Sequence, residues 1–178
     1  NDILHRTIRD NAMKLNQVIE THSPSMDIQI SSNFERQIFE SSGRDSHYVN
    51  KFMSEFYKNQ HESLSSKIME DIQKNYKSHS VDNKETLESI KFFYKKYNYL
   101  ADPHTATGLY VLNKLNSNEP NVSLACAHPA KFEDAIEKAI QKKPNMPHEL
   151  KKVFDKEEKM IILDNDSNTI KSHIYKII

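Results

Sequence analysis

The chain has 178 residues, its 25 Lys and Arg balance 25 Asp and Glu, and its mean hydropathy is -0.78. This length suits one domain or one piece of a larger protein, and it is enough to bury a core. Zero net charge argues against a dedicated nucleic-acid or anionic-membrane binder, because such proteins carry a basic excess. No apolar run approaches the ~20 residues of a membrane helix. A single Cys excludes an internal disulfide framework and a Cys-rich zinc site, and it predicts a reducing, cytoplasmic location.

Glycine is scarce, and the chain does not begin with Met. Gly43 and Gly108 are the only two glycines, where average usage of ~7% would give about twelve. Loops that cradle phosphate need Gly for close backbone approach, so the sequence predicts no loop of that kind. The first residue is Asn1, and nothing near it has the pattern of a signal peptide. We therefore expect a chain that starts after processing or within a longer protein.

The first part of the chain alternates short elements with polar loops. Apolar spacing predicts an amphipathic helix over residues 1–9. Residues 17–21 are a possible short strand, and Pro with flanking Ser predicts a loop over residues 22–27. The stretch Ser32-Asn33-Phe34-Glu35 has capping-box spacing, in which the hydroxyl bonds an amide and the Glu reaches back. A helix is predicted to follow it and to stop near Gly43.

The middle of the chain has a helical pattern. Residues 47–75 are predicted to be helical throughout, with two apolar stripes that we interpret as core or partner-helix faces. A second capping box begins at Asp82 and opens another helix. The first stripe contains Phe52, Met53, Phe56 and Tyr57, and the second contains Leu64, Ile68, Met69 and Ile72.

The last part combines helices with short apolar runs, so the whole is predicted to be α/β, helix-rich with few short strands. Asp102 as N-cap and Pro103 at the first helical position predict a helix start. Residues 122–127 form an apolar run of strand length. The remaining predicted elements are a helix over 132–140, a strand over 160–163 and a terminal helix over 167–178.

Three segments at element boundaries are the strongest candidates for chemistry, because functional sites usually lie there. They are residues 22–27, 102–105 and 126–132. None of the nine His forms an H-x-x-x-H or H-x-H pair, and no G-x-S-x-G elbow is present, so neither a His metal site nor that class of hydrolase is indicated.

Each of these segments also has a structural interpretation when it is taken singly. Cys126 could be a buried small residue, His104 a surface residue on a first helical turn, and Asp27 a loop residue. In open α/β sheets, however, ligands bind beyond the carboxyl ends of strands, where Cys126 is expected. Composition and spacing alone lead no further than an α/β fragment.

Five stretches, taken in order, carry a family resemblance. They are residues 1–4, 23–28, 31–36, 102–106 and 127–132. The Ser-Pro-Ser-Met-Asp and Ala-His-Pro-Ala-Lys-Phe sequences within them are the specific signals, and with their order and separation the chain resembles the threonine synthase family. The resemblance spans nearly all of residues 1–178 and corresponds to the carboxyl-terminal part, under half, of such an enzyme.

This resemblance implies a pyridoxal phosphate (PLP) enzyme on the fold-type-II scaffold of the tryptophan synthase β chain, with a variable helical insert at about 47–100. Such an enzyme converts O-phospho-L-homoserine and water to L-threonine and phosphate. PLP is the electron sink that lets phosphate leave, after which water adds. The Schiff-base lysine and the phosphate loop are expected in an N-terminal part before Asn1. The chain alone is therefore predicted to be inert, with Lys131 structural.

The resemblance also implies which residue borders the cofactor. In the family, a Thr directly before the Ala-His-Pro-Ala-Lys-Phe sequence faces the pyridine nitrogen, and here that position is Cys126. A thiol is a weaker donor than a hydroxyl, so the contact is expected to be looser. A Ser, Thr or Cys there, unlike a carboxylate, would leave the pyridine nitrogen largely unprotonated. The alternative is that Cys126 is a packed core thiol.

Seven further residues are candidates for the substrate cleft. Ser31, Ser32 and Arg36 are candidates for the substrate phosphate, since a helix N-terminus attracts anions. For Arg36, an Asp or Glu partner is the alternative. For the two Asp among the remaining candidates, the alternatives are a loop-tying and a capping carboxylate. The remaining candidates, which flank the same cleft, are Ser23, Asp27, Asp102 and His104.

Two rival functions stay open. A related phospholyase would act on another phosphorylated amine or amino acid and would release phosphate without threonine. A helical interaction module would fold and work alone, supported by the charged, aromatic-striped residues 47–96. The expected partners are O-phospho-L-homoserine and the N-terminal part of the same protein, with no nucleic acid and no membrane.

Overall fold

The computed structural model describes residues 1–115, 118–154 and 156–178. These form two compact units, Asn1–Pro144 and Asn145–Ile178. The helices of the first unit are α1 (Ile3–Asp10), α2 (Ser32–Ser41), α3 (Ser46–Asn59), α4 (Ser66–Asn75), α5 (Asn83–Tyr97), α6 (Pro103–Lys114) and α7 (Glu133–Ile140), and those of the second are α8 (His148–Phe154) and α9 (Ser167–Ile177).

Strand structure is sparse. The described ranges contain one sheet, the antiparallel pair β1 (Met13–Lys14) and β2 (His61–Glu62), in which Met13 lies opposite Glu62. Two short 3-10 turns, Pro24–Met26 and Pro129–Phe132, lie in the candidate segments. The prediction of a helix-rich fold with few strands is confirmed. Within the residues that the structure describes, no helix has both the length and the apolarity to cross a membrane.

The first core lies among α1, α2, α3, α4 and β1. Ile38, Phe56 and Ile72 are fully buried there, and Met13 of β1 closes one side. The two apolar stripes predicted from the sequence supply most of this core, so their interpretation as core faces is confirmed. Tyr57 is the exception among them, because about half of its surface (52%) is exposed.

The second core lies among α5, α6 and α7. Ile90, Ala106 and Ile136 are fully buried in it, and the Ser89 hydroxyl donates to the Ala106 carbonyl at 2.9 Å. The small Ala side chain lets α5 approach the backbone of α6 closely enough for that bond. Residues 47–100 therefore supply α3 and α4 to the first core and α5 to the second.

Two of the three predicted helix starts are confirmed. Asp82 caps α5 in a complete capping box, accepting from the Glu85 amide at 2.8 Å while Glu85 accepts from the Asp82 amide at 3.0 Å. Asp102 caps α6 as expected. The capping box at Ser32 is wrong, because α2 begins at Ser32 itself and its N-cap, Ser31, makes no side-chain capping bond.

The helix predicted over residues 47–75 is interrupted. α3 ends before Gln60, which adopts a left-handed backbone with φ of 57°. The Gln60 carbonyl accepts from the Leu15 amide at 2.9 Å, and β2 then pairs with β1. The Asn11 side chain bonds both the amide and the carbonyl of Leu64, which turns the chain into α4. Tertiary partners therefore override a continuous helical pattern here.

The short strands predicted over residues 17–21, 122–127 and 160–163 are wrong. Within the described part of the chain these segments pair with no other strand, and a strand needs a ladder partner to be stable. Their apolar side chains are largely exposed, as shown by Val122 at 83% and Ile162 at 84%. The helices predicted at the chain start, over 132–140 and over 167–178 are confirmed, whereas α8 was not predicted.

The two caps provide a matched test of the helix starts. Asp82→Ala is expected to lower the free energy of unfolding by about 1 kcal/mol, because it removes a bonded N-cap side chain. Ser32→Ala is expected to change it by less than about 0.5 kcal/mol, since Ser32 lies inside α2 and is exposed. Urea unfolding of the full-length variants measures both. A larger effect for Ser32→Ala than for Asp82→Ala would contradict this assignment.

Candidate functional site

The Asp102 carboxylate is the centre of the candidate site. Its side chain is fully buried and caps α6, accepting from the His104 amide at 2.9 Å and from the Thr105 amide at 3.4 Å. The Thr105 hydroxyl donates to Oδ2 of the same carboxylate. The Ala127 amide also donates to Oδ2, at 3.1 Å. Asp102 therefore links the start of α6 to a segment 25 residues further along the chain.

The peptide on either side of Cys126 is held by this arrangement. The Cys126 amide donates to the Thr105 hydroxyl oxygen at 2.8 Å, and the next amide bonds Asp102. The Cys126 side chain itself is exposed, and its Sγ has a long contact of 3.6 Å with the Leu124 carbonyl. The interpretation of Cys126 as a buried or packed core thiol is therefore wrong.

His104 joins the third segment to the site. Its Nε2 accepts from the Ser25 amide at 3.2 Å, so Nδ1 carries the proton and donates to Asp102 Oδ1 at 3.1 Å. The ring is buried and lies 4.9 Å from the Phe132 ring, centroid to centroid. The interpretation of His104 as a surface residue is wrong, because these neighbours enclose the ring.

The loop over residues 22–27 is tied by its own side chains. Asp27 accepts from the Thr21 hydroxyl at 2.6 Å, from the Thr21 amide at 2.8 Å and from the Asn1 side chain at 2.6 Å. Ser23 is buried, and its carbonyl accepts from the Met26 amide at 2.8 Å. Asp27 is therefore a loop-tying carboxylate, and the loop reaches the Asp102 site through Ser25.

Burial alone would raise the pKa of Asp102, but hydrogen bonds outweigh that effect. The Thr105 hydroxyl, the His104 and Ala127 amides and the His104 side chain all donate to the charged form, so the net pKa lies below the usual value for Asp. The carboxylate is thus ionised at neutral pH, although its donors are formally neutral.

The other candidates lie outside this network. Ser31 is buried, Ser32 and Arg36 are exposed, and no hydrogen bond between described residues connects them with Asp102. The Arg36 guanidinium donates to the Asn33 side chain at 2.9 Å, instead of to the Asp or Glu expected by the alternative interpretation. Their role at a substrate phosphate stays a prediction.

Thr105 is the site residue that the candidates omitted. The spacing Asp-Pro-His-Thr could have identified it, because an N-cap Asp reaches the amides two and three positions ahead. Thr105 also borders a cavity of about 370 Å³ between α5, α6 and the segment before Cys126. The other lining residues include Phe93, Tyr99, Leu109, Asn121 and Ser123.

Gly108 allows the segment before Cys126 to pack on α6. A Cβ atom added at Gly108 would lie 2.8 Å from the Ser123 hydroxyl oxygen, which is closer than real Cβ contacts. A glycine inside a helix costs about 0.5–1 kcal/mol relative to Ala. A Cβ atom at this position would therefore require the Ser123 hydroxyl to move.

Comparison with known proteins identifies the class of this fold. Residues 105–174 match the family model described as "Threonine synthase, C-terminal". The chain is 34% identical to a Pseudomonas aeruginosa threonine synthase over 177 residues, which cover 98% of this chain and 38% of that protein. The chain therefore spans well under half the length of this curated relative. The fold is that of the carboxyl-terminal part of such enzymes.

Two solved structures agree with this. A PLP-bound threonine synthase from Brucella melitensis superposes with a TM-score of 0.84 at 36% identity, covering 98% of this chain and 38% of that one. The yeast threonine synthase gives a TM-score of 0.80 at 32% identity, covering 98% of this chain and 40% of that one. The chain belongs to the threonine synthase family.

Asp102→Asn tests the buried carboxylate. The amide group would present N–H donors where Oδ2 accepts from Ala127, so the free energy of unfolding is expected to fall by about 2 kcal/mol at pH 7. Because folding lowers the pKa of Asp102, its stabilisation is complete above the unfolded value of about 4 and is lost as the pH falls further. The difference between variant and wild type should therefore shrink below about pH 4.

Urea unfolding of the full-length proteins between pH 3 and 7 measures this difference. Asp166→Asn is the matched control, since Asp166 is the exposed N-cap of α9 and Asn caps equally well. It should change stability by less than about 0.5 kcal/mol. If the difference in the free energy of unfolding between Asp102→Asn and wild type did not depend on pH, the assignment of Asp102 as an ionised buried carboxylate would be contradicted.

A second prediction concerns Gly108. Gly108→Ala gains helix propensity but meets the Ser123 hydroxyl, so its effect should depend on residue 123. In a Ser123→Ala background, Gly108→Ala is expected to stabilise the protein by up to about 1 kcal/mol. In the wild type the gain should be smaller or absent. Thermal unfolding of the wild type and the three variants gives the coupling, and equal effects in both backgrounds would exclude the close contact.

Proposed function

We propose that this chain is the carboxyl-terminal part of a cytoplasmic, PLP-dependent threonine synthase. The complete enzyme converts O-phospho-L-homoserine and water to L-threonine and phosphate. The observation that carries the proposal is the convergence of residues 22–27, 102–105 and 126–132 on the Asp102 network, because these segments coincide with three of the five family stretches. Similarity over 98% of the chain to a threonine synthase supports it.

Cys126 fits the proposed contact with the pyridine nitrogen of PLP. Its backbone is anchored by two hydrogen bonds, which the Cys126 and Ala127 amides donate, while its thiol is exposed. The side chain is therefore available to a ligand. A neutral thiol would leave the pyridine nitrogen largely unprotonated, unlike a carboxylate, which would favour its charged form. PLP, when bound, supplies the electron sink that activates the substrate for loss of phosphate.

The remaining residues have proposed roles in shaping the cleft. His104 bonds both the Ser25 amide and Asp102, so it would keep the loop of Ser23 and Asp27 at the start of α6 and add polar groups to one wall of the cleft. The start of α2 is the proposed phosphate contact, through Ser31, Ser32 and Arg36. The N-terminal part of the same protein would carry the cofactor lysine, and residues 47–100 would form a variable helical insert.

The test follows phosphate and threonine together, using the full-length protein with PLP and O-phospho-L-homoserine. We expect equal amounts of both products, and neither from the 178-residue chain alone. Cys126→Ala should lower kcat by up to about tenfold, the effect of one lost hydrogen bond. Cys126→Ser is the matched control and should retain most of the activity, because it keeps a donor at the same position.

Other outcomes distinguish the rival functions. Release of phosphate without threonine, together with a keto product or aldehyde and ammonia, would contradict the proposal. It would show that the protein is a phospholyase. Bound PLP with no phosphate release would be consistent with the family and would contradict the proposed reaction. A cooperative thermal transition of the chain alone, with no PLP binding by the full-length protein, would favour a helical interaction module.

A further inference from the structure

The segment around Cys126 does not fix its own conformation. Residues 121–127 have no regular secondary structure, and two of their apolar side chains, Val122 and Leu124, are more than 80% exposed (83% and 81%). Among described residues, the hydrogen bonds that join the Cys126 and Ala127 amides to another element both end on the start of α6. The direction of the Cys126 Cα–Cβ bond is therefore set from α6.

The hydroxyl of Thr105 has a defined orientation in this arrangement. A hydroxyl has one proton to donate, and here that proton goes to Asp102 Oδ2. A lone pair of the same oxygen is left to accept the Cys126 amide at 2.8 Å. Thr105 and Asp102 are nearly fully buried, at 2% and 1% exposure, so water does not compete for these bonds.

We infer that Thr105, oriented by Asp102, is a positioning residue that holds the Cys126 thiol against the pyridine nitrogen of PLP. The inference rests on the proposed function, and it adds a residue that acts through another instead of touching the cofactor. Two successive amides are bonded, so both the position of the Cys126 Cα atom and the direction of its Cβ are constrained.

The test begins with Thr105→Val in the full-length holoenzyme. Val has the shape of Thr without the hydroxyl. The substitution therefore removes the hydrogen bonds to Asp102 and from the Cys126 amide without leaving a cavity. We expect kcat to fall on the order of tenfold with KM within about twofold, because misplacement of a contact group affects the chemical step. Thr105→Ser restores the hydroxyl and should recover kcat to within about threefold of wild type.

A double-mutant cycle separates positioning from a general structural effect. If Thr105 acts through the Cys126 thiol, Thr105→Val should cost no more than about twofold in a Cys126→Ala background. A purely structural loss would multiply with the effect of Cys126→Ala instead. Thr7→Val is the matched control, because Thr7 is equally buried but bonds the Ile3 carbonyl within α1. It should leave kcat unchanged.

Hydrogen exchange gives a readout that is independent of activity. In the protein stripped of PLP, the Cys126 amide should exchange at least about tenfold faster in Thr105→Val than in wild type or Thr105→Ser. Thr7→Val should not change that rate. If Thr105→Val fails to fold, Thr105→Ala is carried through the same cycle and the same exchange measurement, since it also lacks the hydroxyl.

The outcomes separate the two proposals. A wild-type enzyme that forms no threonine overturns the proposed function and with it the role at PLP. A wild-type enzyme that forms threonine, with multiplicative effects in the cycle or unchanged exchange in Thr105→Val, overturns the inference alone. Loss of kcat in Thr105→Val, recovery in Thr105→Ser and no added loss in the Cys126→Ala background are the results that support it.

Discussion

The structure of the site depends on one buried carboxylate and the donors that it requires. An ionised side chain without partners inside a protein costs several kcal/mol, and Asp102 is fully buried with no Lys or Arg bonded to it among the described residues. Its charge is balanced by donors from the start of α6 and from Ala127. Two segments of the site therefore supply donors that the carboxylate needs, and the loop over residues 22–27 is joined to them through the Ser25 amide, which donates to His104.

Local signals predicted the fold well wherever one segment contains its own stabilising partners. Asp82 and Asp102 could be identified as caps because the amides that they bond lie two or three residues ahead. The helix break at Gln60 could not be predicted, since it depends on Leu15, 45 positions earlier in the chain. The three apolar runs resemble strands in sequence, but a strand forms only where a second strand provides a ladder.

The sequence allowed the segments of the candidate site to be predicted, but not the roles of the individual residues in it. Position at element boundaries pointed to the three segments that the structure brings together. The burial of His104 and the exposure of Cys126 are the reverse of what each residue type suggests alone, because both follow from contacts across 79 and 21 residues. Thr105 was missed for the same reason, since its second hydrogen bond is made by a distant amide.

The anchoring of this segment is equally compatible with the Thr that the resemblance leads us to expect at position 126 and with the Cys found there. Both bonds to α6 are made by backbone amides, those of Cys126 and Ala127, so they do not depend on the side chain at position 126. A replacement there leaves the backbone in place and changes only the group that is presented. Precise sites need support from rigid elements, and here the rigid start of α6 fixes a segment that has no regular structure of its own. The chemistry at position 126 can thus vary while its geometry is kept.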